Sequence, residues 1–374
     1  MKEKGRAALR SKIAPESEET TDMTEWNEKA LAEDAGILFT GRCPEGQKGL
    51  LCWTGSSLVI SAKLSSWEAD IEADWDVNTP YMGVLADGAP AARFALRRGL
   101  HTYALLTGMD DTVPHEYALF RDTQPMSGEK GLLVRVRGMR AEGELLPPAK
   151  KPAIEVIGDS LTTGEGTVGP KNAAEWRSVW LSGMHSWAQV LCRELDARGE
   201  WVSQSGWGIY TAWDGNRDAV IGNIYESAAA HSPFEGEWHD FAAHPVACVV
   251  VNLGTNDWNA LKDKSDRERP EGLRRIYDAA LALLARIHSC RPDTPVLFTY
   301  GMCGAELTGC LRSAVLEDAK SVSSPVAFLE LPNCPDTGLG SRFHPGEAHQ
   351  ALCGKLIAQK LRDMGLFPEA ARKE

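Results

Sequence analysis

The chain has 374 residues, of which 43% are apolar and 25% are charged, a balance that is typical of a globular protein and excludes collagen, coiled-coil arrays and long disorder. Its formal net charge of -12 opposes binding to nucleic-acid phosphates and to anionic membrane surfaces, so we expect neither nucleic acid nor membrane as a partner. A chain of this length is expected to form about two to three domains.

Residues 1–35 are rich in acidic and polar side chains and predict a solvated lead-in with one short helix near its end. This stretch has no apolar run of the kind that secretory signals carry, and the sequence contains no transmembrane span. The nine cysteines are scattered, and no pair has the Cys-x-x-Cys spacing of a zinc or redox site. We therefore expect reduced, mostly buried thiols in a cytoplasmic protein.

Residues 36–146 contain short runs of alternating apolar and polar residues, spaced by roughly ten residues and bounded by turn-forming residues. This pattern predicts an antiparallel β-sandwich, jelly-roll-like, in which Asp87-Gly88 forms a hairpin turn. A proline-rich stretch at 147–152 predicts a stiff linker and a domain boundary. The predicted strands are 57–62, 70–75, 81–85, 93–96, 101–106, 115–120 and 132–136.

Residues 147–374 follow a different pattern, because strand-like apolar runs alternate with helical periodicity. This alternation predicts an α/β domain with a doubly wound, flavodoxin-like parallel sheet of about five strands. In such sheets ligands bind beyond the carboxyl ends of the strands. The predicted strands are 153–157, 201–203, 246–253, 296–300 and 326–331.

Four polar motifs lie where chemistry is expected in this sheet. Ser160 follows the first strand, Gly206 and Gly208 follow the second, and Asn256 follows the third. His344 precedes the last apolar helix and is free to turn toward the same edge. Each motif alone is common, since Gly-Asp-Ser often caps a helix and a histidine before a helix is usually a surface residue. Together they supply a nucleophile, a base and oxyanion donors on one face.

The sequence resembles a known family at these motifs. Gly158-Asp159-Ser160-Leu161, the glycines at 206–208, Gly254-Thr255-Asn256-Asp257 and His344-Pro345 resemble, in order, the four sequence blocks of the SGNH (GDSL-type) hydrolases, over residues 153–362. With a sandwich ahead of this domain, the chain is most similar to carbohydrate esterase family 2, whose members remove acetyl groups from plant polysaccharides such as xylan and glucomannan.

The resemblance implies that the chain is a serine-dependent carbohydrate O-acetylesterase, acting on an acetylated carbohydrate through an acyl-enzyme, without cofactor or metal. Ser160 would be the nucleophile and His344 the base. The amides of Ser160 and Gly208 and the side chain of Asn256 would bind the oxyanion, with Gly206 as the alternative glycine. Two other functions remain open: a GDSL esterase or lipase for other short acyl esters, and a catalytically inactive carbohydrate-binding protein.

The partner that orients His344 differs from the common family pattern. Most SGNH enzymes have an aspartate three residues before the catalytic histidine, and this chain has Ser341 there. A backbone carbonyl of loop 338–342 could accept the Nδ1–H of the imidazole and fix its tautomer. We predict such a Ser–His dyad, and Asp336 is the alternative acceptor.

Several tryptophans lie in or just beyond these motifs. Trp207, Trp213 and Trp258 are predicted to stack on a sugar ring, although a buried indole more often belongs to a core. The histidines at 231, 239 and 244 lack a carboxylate or thiol frame for a metal, and we expect their segment to be an insertion that covers the site. No feature of the sequence specifies an oligomeric state.

Overall fold

In the computed structural model, which describes residues 23–129, 132–230 and 236–368, the strands form two sheets that follow one another along the chain. The first sheet is antiparallel, and one short helix, α1 (Glu28–Glu33), precedes its second strand. Its strands are β1 (Thr24–Asn27), β2 (Ile37–Thr40), β3 (Ser57–Asp74), β4 (Tyr81–Ala86), β5 (Ala89–Ala95), β6 (Gly99–Thr107), β7 (His115–Arg121) and β8 (Leu133–Leu146).

Strand β3 joins the antiparallel strands into one folded sheet. The sequence predicts two strands, 57–62 and 70–75, but the structure has a single strand of 18 residues. Leu64 and Trp67 between them are buried, so the apolar contacts continue across the interval. The start of β3 pairs with β2 and β7, and the remainder pairs with β6 and β8. The register of the β3–β8 pair shifts at two places, which is typical of β-bulges, and buried residues of β3 share one core with those of β4, β6, β7 and β8.

The antiparallel unit begins earlier than the predicted boundary at residue 36. Within the predicted lead-in, β1 pairs with β8 and the apolar face of α1 buries Leu31. The indole N–H of Trp26 donates to Asp34 at 2.7 Å and ties this segment together. The sequence pattern missed β1 because it is a mostly exposed edge strand, which needs no alternating apolar residues. Residues 1–22 of the lead-in lie outside the described residues.

The predicted hairpin turn is confirmed. Asp87 and Gly88 connect β4 and β5, and both have positive φ, 49° and 76°. Two consecutive positive φ values match the right-handed twist of the paired strands, and aspartate and glycine tolerate them best.

The second sheet is parallel, with the strand order β10-β9-β11-β12-β13. The predicted α/β fold is confirmed, because all five strands appear and the order corresponds to the flavodoxin-like doubly wound sheet. The switch point of this topology lies between β9 and β11, where the chain reverses its direction of winding. The strands are β9 (Ala153–Gly158), β10 (Arg198–Ser203), β11 (Cys248–Asn252), β12 (Val296–Tyr300) and β13 (Val326–Glu330).

Helices cover both faces of the parallel sheet. In β11, Val249 and Val251 pack on the face covered by α5 and α6, and Val250 packs on the face covered by α3 and α7. This explains the continuous apolar run in the sequence, since a strand buried on both faces has no solvent side. The helices are α2 (Ser160–Thr163), α3 (Trp187–Glu194), α4 (Thr255–Leu261), α5 (Arg269–Cys290), α6 (Thr308–Asp318) and α7 (Glu347–Asp363).

Two further features concern the chain as a whole. All nine cysteines are free thiols, as the scattered spacing predicts. Among the helices that the structure describes, none combines the length and the apolar character that crossing a membrane requires.

A buried charge cluster joins the two sheets. Arg42, in the segment after β2, reaches the carboxylates of Glu155 on β9 and Glu200 on β10. Arg291 donates to the same two carboxylates, at 3.0 Å each, and His239 Nε2 lies 3.0 Å from Glu200. Burial alone would raise the pKa of Glu200, but the imidazole and the two guanidinium groups lower it to about 2. Five charged or polar side chains therefore hold the antiparallel part against the parallel sheet.

The location of this cluster corrects the expectation for the histidine segment. His239 is buried with the cluster and contacts Glu200, whereas His244 is exposed and only its carbonyl accepts from Arg291, and neither residue lines the cavity of the predicted site. The carboxylate partner was invisible in the sequence because Glu200 lies far from His239 along the chain. His231 lies outside the described residues.

Candidate active site

Ser160 and His344 meet at the switch point of the parallel sheet. Ser160 is the first residue of α2, directly after β9, and its hydroxyl oxygen lies 2.9 Å from His344 Nε2. The carboxylate of Asp159 caps α2 by accepting the backbone N–H of Leu161 at 3.0 Å. The cap begins the helix at the serine itself, so the Ser160 side chain is presented at the strand end.

The other imidazole nitrogen of His344 contacts a backbone carbonyl. His344 Nδ1 lies 2.9 Å from the carbonyl oxygen of Arg342, in the loop from which the sequence predicts this acceptor. A carbonyl can only accept, so Nδ1 carries the proton and Nε2 is left to accept from the Ser160 hydroxyl. Asp336 is exposed, and within the described residues it makes no hydrogen bond to His344. The buried Ser341 hydroxyl likewise has no hydrogen-bond partner in that part of the chain.

Asn256, on α4, brings its side-chain amide to the same cavity as Ser160. Its Nδ2 donates to the carbonyl of Trp207 at 2.8 Å and to Asp159 Oδ2 at 3.2 Å. These bonds connect the three strand-end segments that follow β9, β10 and β11. The orientation of the amide is therefore fixed by both neighbouring segments.

The structure distinguishes the two glycines that follow β10. Gly206, with a φ of 82°, lines the cavity beside Ser160 and Asn256. Gly208 is buried away from that cavity, and a Cβ at this position would meet the Thr211 carbonyl oxygen at 2.1 Å. Of the two glycines that the sequence analysis considers for the oxyanion, Gly206 is the one that lines the cavity.

Two buried carboxylates support this edge of the sheet. Asp257 accepts the backbone N–H groups of Ile209, Tyr210 and Thr211 at 2.9, 2.7 and 3.0 Å, which fixes the turn after Gly208. Burial raises the pKa of Asp257 to about 6, although these three hydrogen bonds lower it. Burial likewise raises the pKa of Asp159 to about 7. Both groups are placed to hold backbone rather than to react with a ligand.

The Ser160–His344 pair opens into a cavity of about 900 Å³. Trp213, which is 61% exposed, lines this cavity as the sequence analysis expects of a sugar-stacking residue. Trp207 and Trp258 instead pack against the core of the parallel sheet, where their indoles fill space between helices and strands. Their positions next to the motifs had suggested a cavity contact.

Two aromatic residues of the cavity were missed from the sequence. Trp176 lies in the long segment between α2 and α3, and Phe343, which is 79% exposed, directly precedes His344. No motif and no periodic pattern in the sequence marks Trp176 as a cavity residue. Phe343 belonged to the histidine motif, and its exposure follows from a backbone φ of 61°, which sequence patterns do not reveal.

A doubly wound parallel sheet with a serine and a histidine in contact at its switch point is the arrangement of an α/β hydrolytic enzyme. Residues 156–351 match the sequence profile of the GDSL-like Lipase/Acylhydrolase family, and the chain belongs to this family. It is therefore a carboxylic ester hydrolase, as predicted.

Individual relatives are similar to nearly the whole chain. The cellulase/esterase CelE of Acetivibrio thermocellus is 26% identical over 348 residues, which cover 89% of this chain and 40% of CelE. The acetyl xylan esterase Est2A from the rumen bacterium Butyrivibrio proteoclasticus superposes with a TM-score of 0.87 at 24% identity, covering 93% of this chain and all of that one. A family two carbohydrate esterase from Clostridium thermocellum, solved in complex with cellohexaose, superposes with a TM-score of 0.73 at 21% identity. The superposition covers 88% of this chain and 99% of that one. At these identities the superpositions show a shared two-part fold.

Proposed function

We propose that the chain is a serine-dependent carbohydrate O-acetylesterase. The observation that carries this proposal is the contact between Ser160 and His344 at the base of an open cavity walled by exposed aromatic side chains. A flat aromatic face suits the apolar face of a sugar ring, and an open cavity admits a chain of sugars. The names of the relatives, an acetyl xylan esterase and carbohydrate esterases, support the same substrate class.

The proposed reaction begins with the Ser160 hydroxyl, which donates its hydrogen bond to His344 Nε2. As Ser160 Oγ attacks the acetyl carbonyl carbon, the proton passes to Nε2, and the imidazolium retains its Nδ1–H bond to the Arg342 carbonyl. The imidazolium then protonates the ester oxygen of the sugar as its bond to the acetyl carbon breaks, which releases the sugar hydroxyl and leaves an acetyl-enzyme. His344 then takes a proton from water as the water oxygen attacks the acetyl carbon. When the bond between that carbon and Ser160 Oγ breaks, the imidazolium returns the proton to Oγ and acetate leaves.

The oxyanion would be bound by the backbone amides of Ser160 and Gly206 and by Asn256 Nδ2. Of the two hydrogen bonds of Asn256, that to Asp159 is the longer, at 3.2 Å against 2.8 Å, so we assign its N–H to the oxyanion. Removing one such donor costs about 10²- to 10³-fold in kcat in comparable sites.

The test is release of acetate from acetylated xylan and acetylated glucomannan by the purified protein. Ser160→Ala should abolish release. Ser205→Ala is a matched control, because Ser205 lines the same cavity but binds Thr163 at 3.1 Å and not His344. Release of acetate by Ser160→Ala would refute Ser160 as the nucleophile. Hydrolysis of aryl acetates without release of acetate from either polymer would refute a carbohydrate as the substrate.

A further inference from the structure

The carbonyl that orients His344 belongs to a residue with an unfavourable backbone conformation. Arg342 has φ 56° and ψ 32°, and Phe343 follows with φ 61°. Residues with a Cβ rarely adopt the left-handed region, and two in succession persist only where the surroundings hold them. A return of Arg342 to an ordinary conformation would turn its carbonyl away from His344 Nδ1.

One ion pair connects this loop to the segment that carries the nucleophile. Arg342 Nε lies 3.1 Å from Glu165 Oε1, and the Glu165 side chain is only 5% exposed. The backbone N–H of Glu165 donates to the carbonyl of Ser160 at 3.0 Å, so the glutamate is part of the turn that ends α2. In the part of the chain that the structure describes, Arg342 is the one ion-pair partner of Glu165. Breaking this pair would leave a buried carboxylate without a counter-charge, which costs free energy.

The backbones of the two segments also touch. Ser341 donates to the carbonyl of Gly166 at 3.0 Å, and a Cβ on Gly166 would lie 2.9 Å from His344 Cβ. Arg342 N–H donates to the carbonyl of Ala173 at 2.8 Å. These bonds place the backbone of the loop, and the contact with Glu165 fixes one end of the Arg342 side chain.

We propose that Glu165 is a positioning residue for catalysis, which acts through Arg342 in place of the aspartate that most SGNH enzymes have at position 341. Its carboxylate holds Arg342 in the left-handed conformation, the Arg342 carbonyl accepts Nδ1–H, and Nε2 stays unprotonated toward Ser160. This inference rests on the proposed Ser160–His344 chemistry. In it, the negative charge of Glu165 supports the dyad through Arg342 and does not contact the imidazole.

The test uses glycine, which adopts the left-handed region without strain. Glu165→Ala, Glu165→Gln and Arg342→Ala should each lower kcat by about 10²-fold, because the reacting groups are misplaced. The rates are compared at saturating substrate, since both side chains also line the cavity and contribute to KM. Arg342→Gly should lose about tenfold less kcat than Arg342→Ala, and the double variant Glu165→Ala with Arg342→Gly should have a higher kcat than Glu165→Ala alone.

Glu175→Ala is the matched control, because it removes an exposed glutamate that pairs with Arg177 at 3.2 Å. Thermal melting of every variant identifies losses of folding, and Ser160→Ala measured in parallel tests the nucleophile separately. Equal kcat for Arg342→Ala and Arg342→Gly, or no rescue of Glu165→Ala by Arg342→Gly in folded protein, would overturn the role of Glu165 while leaving the proposed function intact.

Discussion

Replacing Asp336 by alanine distinguishes a Ser–His dyad from a catalytic triad. Loss of an orienting triad carboxylate lowers kcat by about 10⁴-fold, which corresponds to about 5 kcal/mol of transition-state stabilisation. In this structure the Arg342 carbonyl already occupies His344 Nδ1 at 2.9 Å, and Asp336 is exposed. An exposed charge interacts with a nearby imidazolium by about 1 kcal/mol or less, so kcat should fall by less than about tenfold.

The assay is the initial rate of aryl acetate hydrolysis by Asp336→Ala over a range of substrate concentrations. Asp336→Asn, which keeps the shape of the side chain, separates the effect of charge from that of packing, and His344→Ala supplies the fully impaired reference. A loss of 10³-fold or more in both Asp336 variants, with melting temperatures unchanged, would show that this carboxylate reaches the imidazole during the reaction and would refute the dyad.

Three further outcomes follow from the site. Trp213→Ala should weaken turnover of acetylated polysaccharide by roughly three- to tenfold more than hydrolysis of an aryl acetate; equal losses on both substrates would contradict sugar stacking. Trp258→Ala should chiefly lower the melting temperature, since its indole packs on the core; unchanged melting with impaired polymer turnover would contradict that placement. Burial raises the pKa of Asp159 from 3.8 to about 7, so its ionisation should lower the free energy of unfolding progressively from about pH 4 to about pH 7, by about 4 kcal/mol in total. Asp159→Asn should remove this slope in urea unfolding, and an unchanged slope would assign it to another group.

The sequence predicted the parallel sheet well because its strands are buried on both faces and its helices are amphipathic, so periodicity carried the information. The antiparallel part was harder. Strand β1 is exposed at an edge, and β3 continues through a polar-looking interval in which Leu64 and Trp67 are both buried, although an irregularity between them shifts the alternation by one residue. Both errors arise from tertiary burial that a local window does not contain.

The candidate site likewise contains residues that the sequence predicts and residues that only the tertiary structure reveals. Ser160, Asn256 and His344 could be named from the sequence because parallel topology brings strand ends together. The choice between Gly206 and Gly208 depended on where the chain turns, which is a matter of one backbone conformation. The pairing of Glu165 with Arg342 could not be found, because it joins residues that are distant in sequence and have no motif in common.

The buried charge cluster has a consequence for how this protein can be divided. Arg42 comes from the first part of the chain, whereas Glu155 and Glu200 lie in the parallel sheet. A fragment starting at the proline-rich linker would keep both carboxylates and lose Arg42, so that Arg291 would be the remaining guanidinium on both, and removing one partner of a buried ion pair costs about 3 to 5 kcal/mol. We therefore expect the parallel sheet alone to be less stable than the same sheet in the whole chain, so a fragment meant to carry the site should include Arg42.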